Sequence, residues 1–276
     1  MSTLLTTAHA DAVCTVTLHP PEGKPPTLDP AVMDAFDGVL TDIEARAPEL
    51  SAVVLQSASP KFFCAGANVN VLATINRDTV ASWVESGHRL MNRIETLPMP
   101  VIARVEGYAL GGGLELAMAC DLIFASCNGK FGQTETKLGF VTGWGGSYRL
   151  VRRVGLARAK ELAFSGRIFD ADEAVRLGVA EWSGTPEALA LHLREFLAAA
   201  AANSRVANRE MKRLLASCLS TGLAENVALE SAASQRCLGE EGEAAERLRN
   251  FLAKKKPAPG APLQHAPQRD VRSVDA

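Results

Sequence analysis

The stretch Gly107-Tyr108-Ala109-Leu110-Gly111-Gly112-Gly113-Leu114-Glu115-Leu116-Ala117-Met118-Ala119-Cys120-Asp121 constrains this chain more than any other. It follows a short apolar run over 101–105 with the character of a strand, and it ends in an apolar run over 114–119 with the character of a helix. Between the two, three glycines let the backbone come close to another group, because no Cβ stands in the way. Their N–H groups sit at a helix N-terminus, where unpaired donors favour an anion or a developing one. Glu115 stands in that first turn, three residues after Gly112. An anion-stabilising turn beside a carboxylate suits acid–base chemistry at a polarised carbonyl.

Short strand, turn and helix recur along the chain. Residues 13–18 alternate as a strand does, and a turn-rich loop follows over 19–26. Asp29-Pro30 caps and opens a helix that runs to about residue 46. Residues 52–56 read as a short buried strand, 57–66 as a loop, and 78–97 as a long amphipathic helix stopped by Pro98 and Pro100. Beyond the glycine turn come a strand over 122–125, an Asn128-Gly129 turn and a short extension at 130–131. Helices are expected over 148–165 and 171–177, with Gly178 as a stop. Strands alternating with helices imply an α/β fold. From 186 to 256 the pattern is almost wholly helical. The expected organisation is a core with the active site over 1–200, a helical region over 201–257, and a disordered tail over 258–276.

With 47% apolar and 22% charged residues in 276, the chain can bury an ordinary globular core. A net charge of −2 gives no global field to attract nucleic acid or an anionic membrane. Cys14, Cys64, Cys120, Cys127, Cys218 and Cys237 form no CxxC pair, and the histidines are scattered, so no metal site is expected. Reduced thiols in a cytoplasmic protein are the simplest reading. Residues 1–13 lack the basic and apolar regions of a signal peptide. The apolar segment 188–202 is broken by His192, Arg194 and Glu195, so it does not span a membrane.

A second constellation, Phe131-Gly132-Gln133-Thr134-Glu135, is followed by Leu138-Gly139-Phe140 and Gly143-Trp144-Gly145-Gly146. Glu135 comes twenty residues after Glu115, with one strand between them, so a strand out and a turn back can return both carboxylates to one pocket. Such a pair suits a reaction that adds one proton and removes another. Taken alone, two glutamates at this distance are more often solvated charges. A third piece, Phe62-Phe63-Cys64-Ala65-Gly66-Ala67-Asn68, can bring a second N–H against a ligand, although it also reads as an ordinary strand-ending turn.

These three segments together resemble the crotonase, or enoyl-CoA hydratase/isomerase, superfamily, over roughly residues 10–257. The resemblance implies a crotonase-like spiral of ββα units with a C-terminal helical trimerisation region, assembled as a homotrimer or a dimer of trimers. It implies an acyl-CoA thioester as substrate, coenzyme A being part of that substrate, with no separate cofactor. Ala67 and Gly112 match the oxyanion-hole donors to the thioester oxygen. Glu115 matches the carboxylate that activates water, and Glu135 the one that protonates the α-carbon. The substrate-binding set carried over with them is Lys24, Ala65, Asn68, Val69, Asn70, Gly111, Leu138, Gly143 and Trp144. Two glutamates resemble the hydratase pattern; isomerases of this fold commonly keep only the second.

Several positions depart from the family pattern. Gly143 stands where dehalogenases, dienoyl-CoA isomerases and hydroxyisobutyryl-CoA hydrolases place an aspartate, which counts against those chemistries. Asn68 replaces an aspartate and Asn70 a lysine, so Lys24, equally a solvated loop residue, is left as a candidate phosphate contact. Thr134 and Thr142 replace prolines beside the second glutamate, which implies a less rigidly held proton donor. His88, Cys64 and Cys120 read more simply as packed residues, Trp144 reads as acyl wall or core, and Lys254 to Lys256 as a solvated helix end. The expected activity is hydration of a 2-enoyl-CoA to a 3-hydroxyacyl-CoA. The alternatives are a Δ3,Δ2-enoyl-CoA isomerase working through Glu135 alone and a catalytically weak acyl-CoA-binding scaffold.

Overall fold

A computed structural model of the chain describes residues 4–239 and 242–254. In chain order, β1 (Leu5–Ala10) and β2 (Val13–Leu18) lead to α1 (Pro30–Ala45), then β3 (Ala52–Ser57), β4 (Phe62–Cys64), α2 (Val69–Leu72) and α3 (Val80–Thr96). Next come β5 (Val101–Val105), β6 (Tyr108–Leu110), α4 (Gly112–Ala119), β7 (Leu122–Ser126) and β8 (Lys130–Gly132). After a single 3-10 turn at Glu135–Leu138 follow α5 (Gly146–Val154), α6 (Leu156–Ser165), β9 (Phe169–Asp170), α7 (Ala171–Leu177) and β10 (Trp182–Gly184). The chain closes with α8 (Pro186–Ala202), α9 (Arg205–Ser217), α10 (Leu223–Leu238) and α11 (Ala244–Lys254).

The strands form two sheets, in the orders β1-β2-β3-β5-β7-β10 and β4-β6-β8-β9. Successive turns of the chain place one strand in each sheet and then a helix, which is the ββα spiral expected. From β2 onward the larger sheet is parallel, and β4, β6 and β8 are parallel neighbours in the smaller one. A parallel sheet covered on both faces needs apolar residues on both. Val53 and Leu55 accordingly face the main core with Phe36, Leu90 and Ile94, while Ala52, Val54, Ile102 and Phe124 pack on Leu189 and Leu193 of α8. Helix α8 therefore belongs to the core's packing and runs through residue 200 to Ala202.

Three expectations are corrected. Residues 57–66, expected as a loop, contain β4 at 62–64. The helix anticipated over 148–165 is broken at Gly155, whose φ of 78° no right-handed helix accommodates, giving α5 and α6. Residues 5–10, not anticipated as structured, pair antiparallel with β2 through a turn whose central residues, Asp11 and Ala12, have φ of 48° and 62°. The expected tail over 258–276, together with Lys255 and Lys256, lies outside the described residues.

Helices α9 and α10 are tied by Glu210, which is buried and pairs with Arg213 and Arg236 at 3.0 and 2.6 Å. Met211 and Leu215 of α9, Leu219 in the link between the helices, and Leu223 and Val227 of α10 are exposed. Among the described residues no helix is long and apolar enough to cross a membrane, and no cluster of side chains suits a metal ion.

Candidate active site

The smaller sheet positions the site. Its three parallel strands end side by side, and the segments that leave those ends are Ala65-Gly66-Ala67 after β4, Gly111-Gly112 after β6 and Gln133 to Glu135 after β8. Stacking of adjacent spiral turns thus gathers groups separated by up to seventy residues in sequence.

Gly111 turns the chain into α4 with a φ of 51°, and its N–H donates to the Gly132 carbonyl at 2.8 Å. A side chain there would stand 3.3 Å from Glu135 Oε1, so the first glycine of the motif makes room for the second carboxylate. Gly112 opens the helix. A methyl on it would lie 2.5 Å from the Trp144 ring and 3.3 Å from the Ala67 nitrogen. Ala67 is held by a bridge to Leu28, in which Leu28 N–H donates to Gly66 O at 2.8 Å and Asn68 N–H to Leu28 O at 3.0 Å. Neither the Ala67 nor the Gly112 N–H finds a protein acceptor among the described residues. Two neighbouring unspent donors, one at a helix N-terminus, can hold a developing oxyanion.

Glu115 is 1% exposed, and its Oε1 accepts three hydrogen bonds: from Thr142 Oγ1 at 2.6 Å, Trp144 N–H at 2.7 Å and Gly146 N–H at 2.7 Å. The loop that supplies them is anchored from behind by Arg149. That buried guanidinium donates to Trp144 O at 2.9 Å and to Asn92 Oδ1 at 2.9 Å, and pairs with Glu95 at 2.6 Å. Thr142, expected to influence the second glutamate, instead binds the first, because the loop after the 3-10 turn folds back over the N-terminus of α4.

Glu135 begins that 3-10 turn. Gln133 Nε2 donates to its Oε1 at 2.7 Å, while its Oε2 is buried with no protein partner among the described residues. Burial, and after it the nearby Glu115 charge, pushes the Glu135 carboxyl up to about 7. One carboxylate thus faces three donors and the other a poorly solvating pocket, so the two stand in unlike surroundings.

Both glutamates line one cavity of about 320 Å³. Of the residues carried over from the family, Ala65, Ala67, Val69, Gly111, Gly112, Leu138, Gly143 and Trp144 line it too, with Val69 and Leu138 exposed at its rim. Lys24, Asn68 and Asn70 lie outside the lining. Lys24 and Asn70 are exposed, and Asn68 caps α2 by accepting from Asn70 N–H at 3.0 Å. Trp144 is both core and wall, being 2% exposed and packed at 5.0 Å against Trp83. His88 also lines the cavity and stacks on Tyr148. Cys64 and Cys120 are buried, which pushes both thiols up to about 12 and keeps them neutral. Sequence reasoning missed Gln133 and Trp83. Gln133 had a signal in its place two residues before Glu135, whereas Trp83 had none beyond its helix.

Comparison with known proteins gives the family. A family model described as enoyl-CoA hydratase/isomerase matches residues 8–259. The short-chain-enoyl-CoA hydratase of Clostridium acetobutylicum is 34% identical over 244 residues, which is 88% of this chain and 92% of that protein. The mitochondrial methylglutaconyl-CoA hydratase of Rattus norvegicus is 37% identical over 233 residues, covering 82% of this chain and 70% of that one. Among solved structures, an enoyl-CoA hydratase from Bacillus anthracis superposes with a TM-score of 0.85 at 32% identity, over 93% of this chain and 98% of that one.

Proposed function

Because the chain belongs to the enoyl-CoA hydratase/isomerase family, we propose that it adds water across the 2,3 double bond of a 2-enoyl-CoA to give a 3-hydroxyacyl-CoA. The observation that carries this reading is the pair Glu115 and Glu135 on one cavity, in unlike surroundings, next to the unspent N–H groups of Ala67 and Gly112.

The thioester oxygen accepts from Ala67 and Gly112, which draws electrons from the conjugated double bond and makes C3 electrophilic. Glu115 takes a proton from water as the oxygen–C3 bond forms, and the π electrons move onto the thioester as an enolate. Glu135, protonated up to about pH 7, gives its proton to C2 as the enolate collapses. Water is consumed, and proton exchange between the two carboxyl groups and solvent resets the pair. The exposed apolar faces of α9 and α10 support a trimeric assembly that would cover them.

Loss of the enoyl-thioester absorbance of crotonyl-CoA, with 3-hydroxybutyryl-CoA as product, is the expected result. Conversion of a 3-enoyl-CoA to its 2-enoyl isomer without hydration would replace this reading by the isomerase. Binding of CoA thioesters without turnover would replace it by the scaffold.

A further inference from the structure

Of the three donors on Glu115 Oε1, two are backbone N–H groups that come with the path of the loop. The third is a side chain, the Thr142 hydroxyl, which also lines the cavity. Three donors converge on Oε1 at 2.6 to 2.7 Å, and together they occupy the directions from which a water could approach that oxygen. Oε2 has no protein donor among the described residues. The hydroxyl is itself confined, since a methyl on Gly146 would stand 2.6 Å from Thr142 Oγ1.

We propose that Thr142 is a positioning residue for the base: by completing the set of donors on Oε1, it restricts the reacting water to Oε2 of Glu115. The proposal rests on the hydration reading above. Without the hydroxyl, the place it occupies beside Oε1 is open to a water, from which no proton transfer toward C3 follows. The terminal torsion of a glutamate is soft, so the carboxylate plane is also less well fixed. Both effects slow the bound complex and leave thioester binding alone, because Thr142 contacts Glu115 rather than the oxyanion donors.

The test is the steady-state kinetics of crotonyl-CoA hydration by Thr142→Val, which keeps the shape of the side chain, Thr142→Ser, which keeps the hydroxyl, and Thr142→Ala, read beside the valine variant should that one fail to fold. Thermal melts report folding. The expected result is a fall in kcat of about tenfold for valine and alanine, the order of one hydrogen bond to a charged group, with KM within about twofold and with serine close to wild type. A valine or alanine kcat within about twofold of wild type overturns the proposal. So does a serine variant as slow as valine, or an effect confined to KM. Glu115→Gln is measured in the same series. If that variant hydrates normally, the reading of Glu115 as base has failed, whereas a dead Glu115→Gln beside an unimpaired Thr142→Val removes only the role of Thr142.

Discussion

The Trp144 ring and Gly112 meet at one boundary: a methyl on Gly112 would lie 2.5 Å from Cζ3 of the indole. Trp144 also donates its own N–H to Glu115, so the same residue packs against the proposed oxyanion donor and holds the proposed base. Gly112→Ala is therefore expected to push the ring away and to disturb both groups at once. Hydration of crotonyl-CoA should fall by at least about 10²-fold, the usual cost of losing one oxyanion donor. Tryptophan fluorescence should shift with it, and an unchanged rate would separate Gly112 from the thioester oxygen.

Glu115→Gln and Glu135→Gln should each lower kcat for hydration by at least about 10²-fold, in line with general acid–base contributions. In the wild type, kcat/KM should fall as pH rises through about 7, because the proton that Glu135 is proposed to give to C2 is lost there. A kcat/KM that stays level up to pH 9 would contradict the acid role.

Glu135 also makes stability depend on pH. Its folded-state value of about 7 lies above the ordinary 4.5, so the folded protein holds this proton more tightly than the unfolded chain. The stability linked to it is fully present below about pH 4.5 and is lost as pH rises through about 7. Glutamine removes that loss. Glu135→Gln should therefore be more stable than wild type at pH 8, by up to about 3 kcal/mol before solvent screening, and show little difference at pH 4.5. Paired denaturant titrations at the two pH values measure it.

Trp83 and Ile75 line both the cavity that holds the two glutamates and a neighbouring one of about 270 Å³. The Trp83 side chain is the larger part of that partition, and the bond from Trp144 Nε1, at 3.3 Å, goes to the Trp83 carbonyl and would survive truncation. Trp83→Ala should join the cavities and raise kcat/KM for decenoyl-CoA relative to crotonyl-CoA by about tenfold or more. An unchanged ratio would show that the acyl chain runs elsewhere.

The parts of the site legible in the sequence were those written contiguously. The glycine turn, Glu115 three residues into its helix, and the alternation of strand and helix all depend on neighbours a few positions apart. The contact of Thr142 with Glu115 spans 27 positions and follows the path of a loop that no local pattern specifies. Strand β1 was invisible because only Leu5 of its six residues is buried, leaving no alternation to read. Its hairpin lacks the Asn-Gly or Asp-Gly signal that usually announces two consecutive residues of positive φ. Gly155 was legible as a residue but not as a break, since apolar residues on both sides continue a helical pattern.

Ala67, Gly112 and Glu135 each follow the end of a strand in the smaller sheet, while most large side chains of the core sit within the strands and on the helices. Folding and chemistry are thus written largely in different positions. A substitution just beyond a strand end, where it does not reach Trp144, can alter the site without touching the residues that hold the spiral closed. A scaffold of this kind is free to diversify its reactions while its interior stays the same.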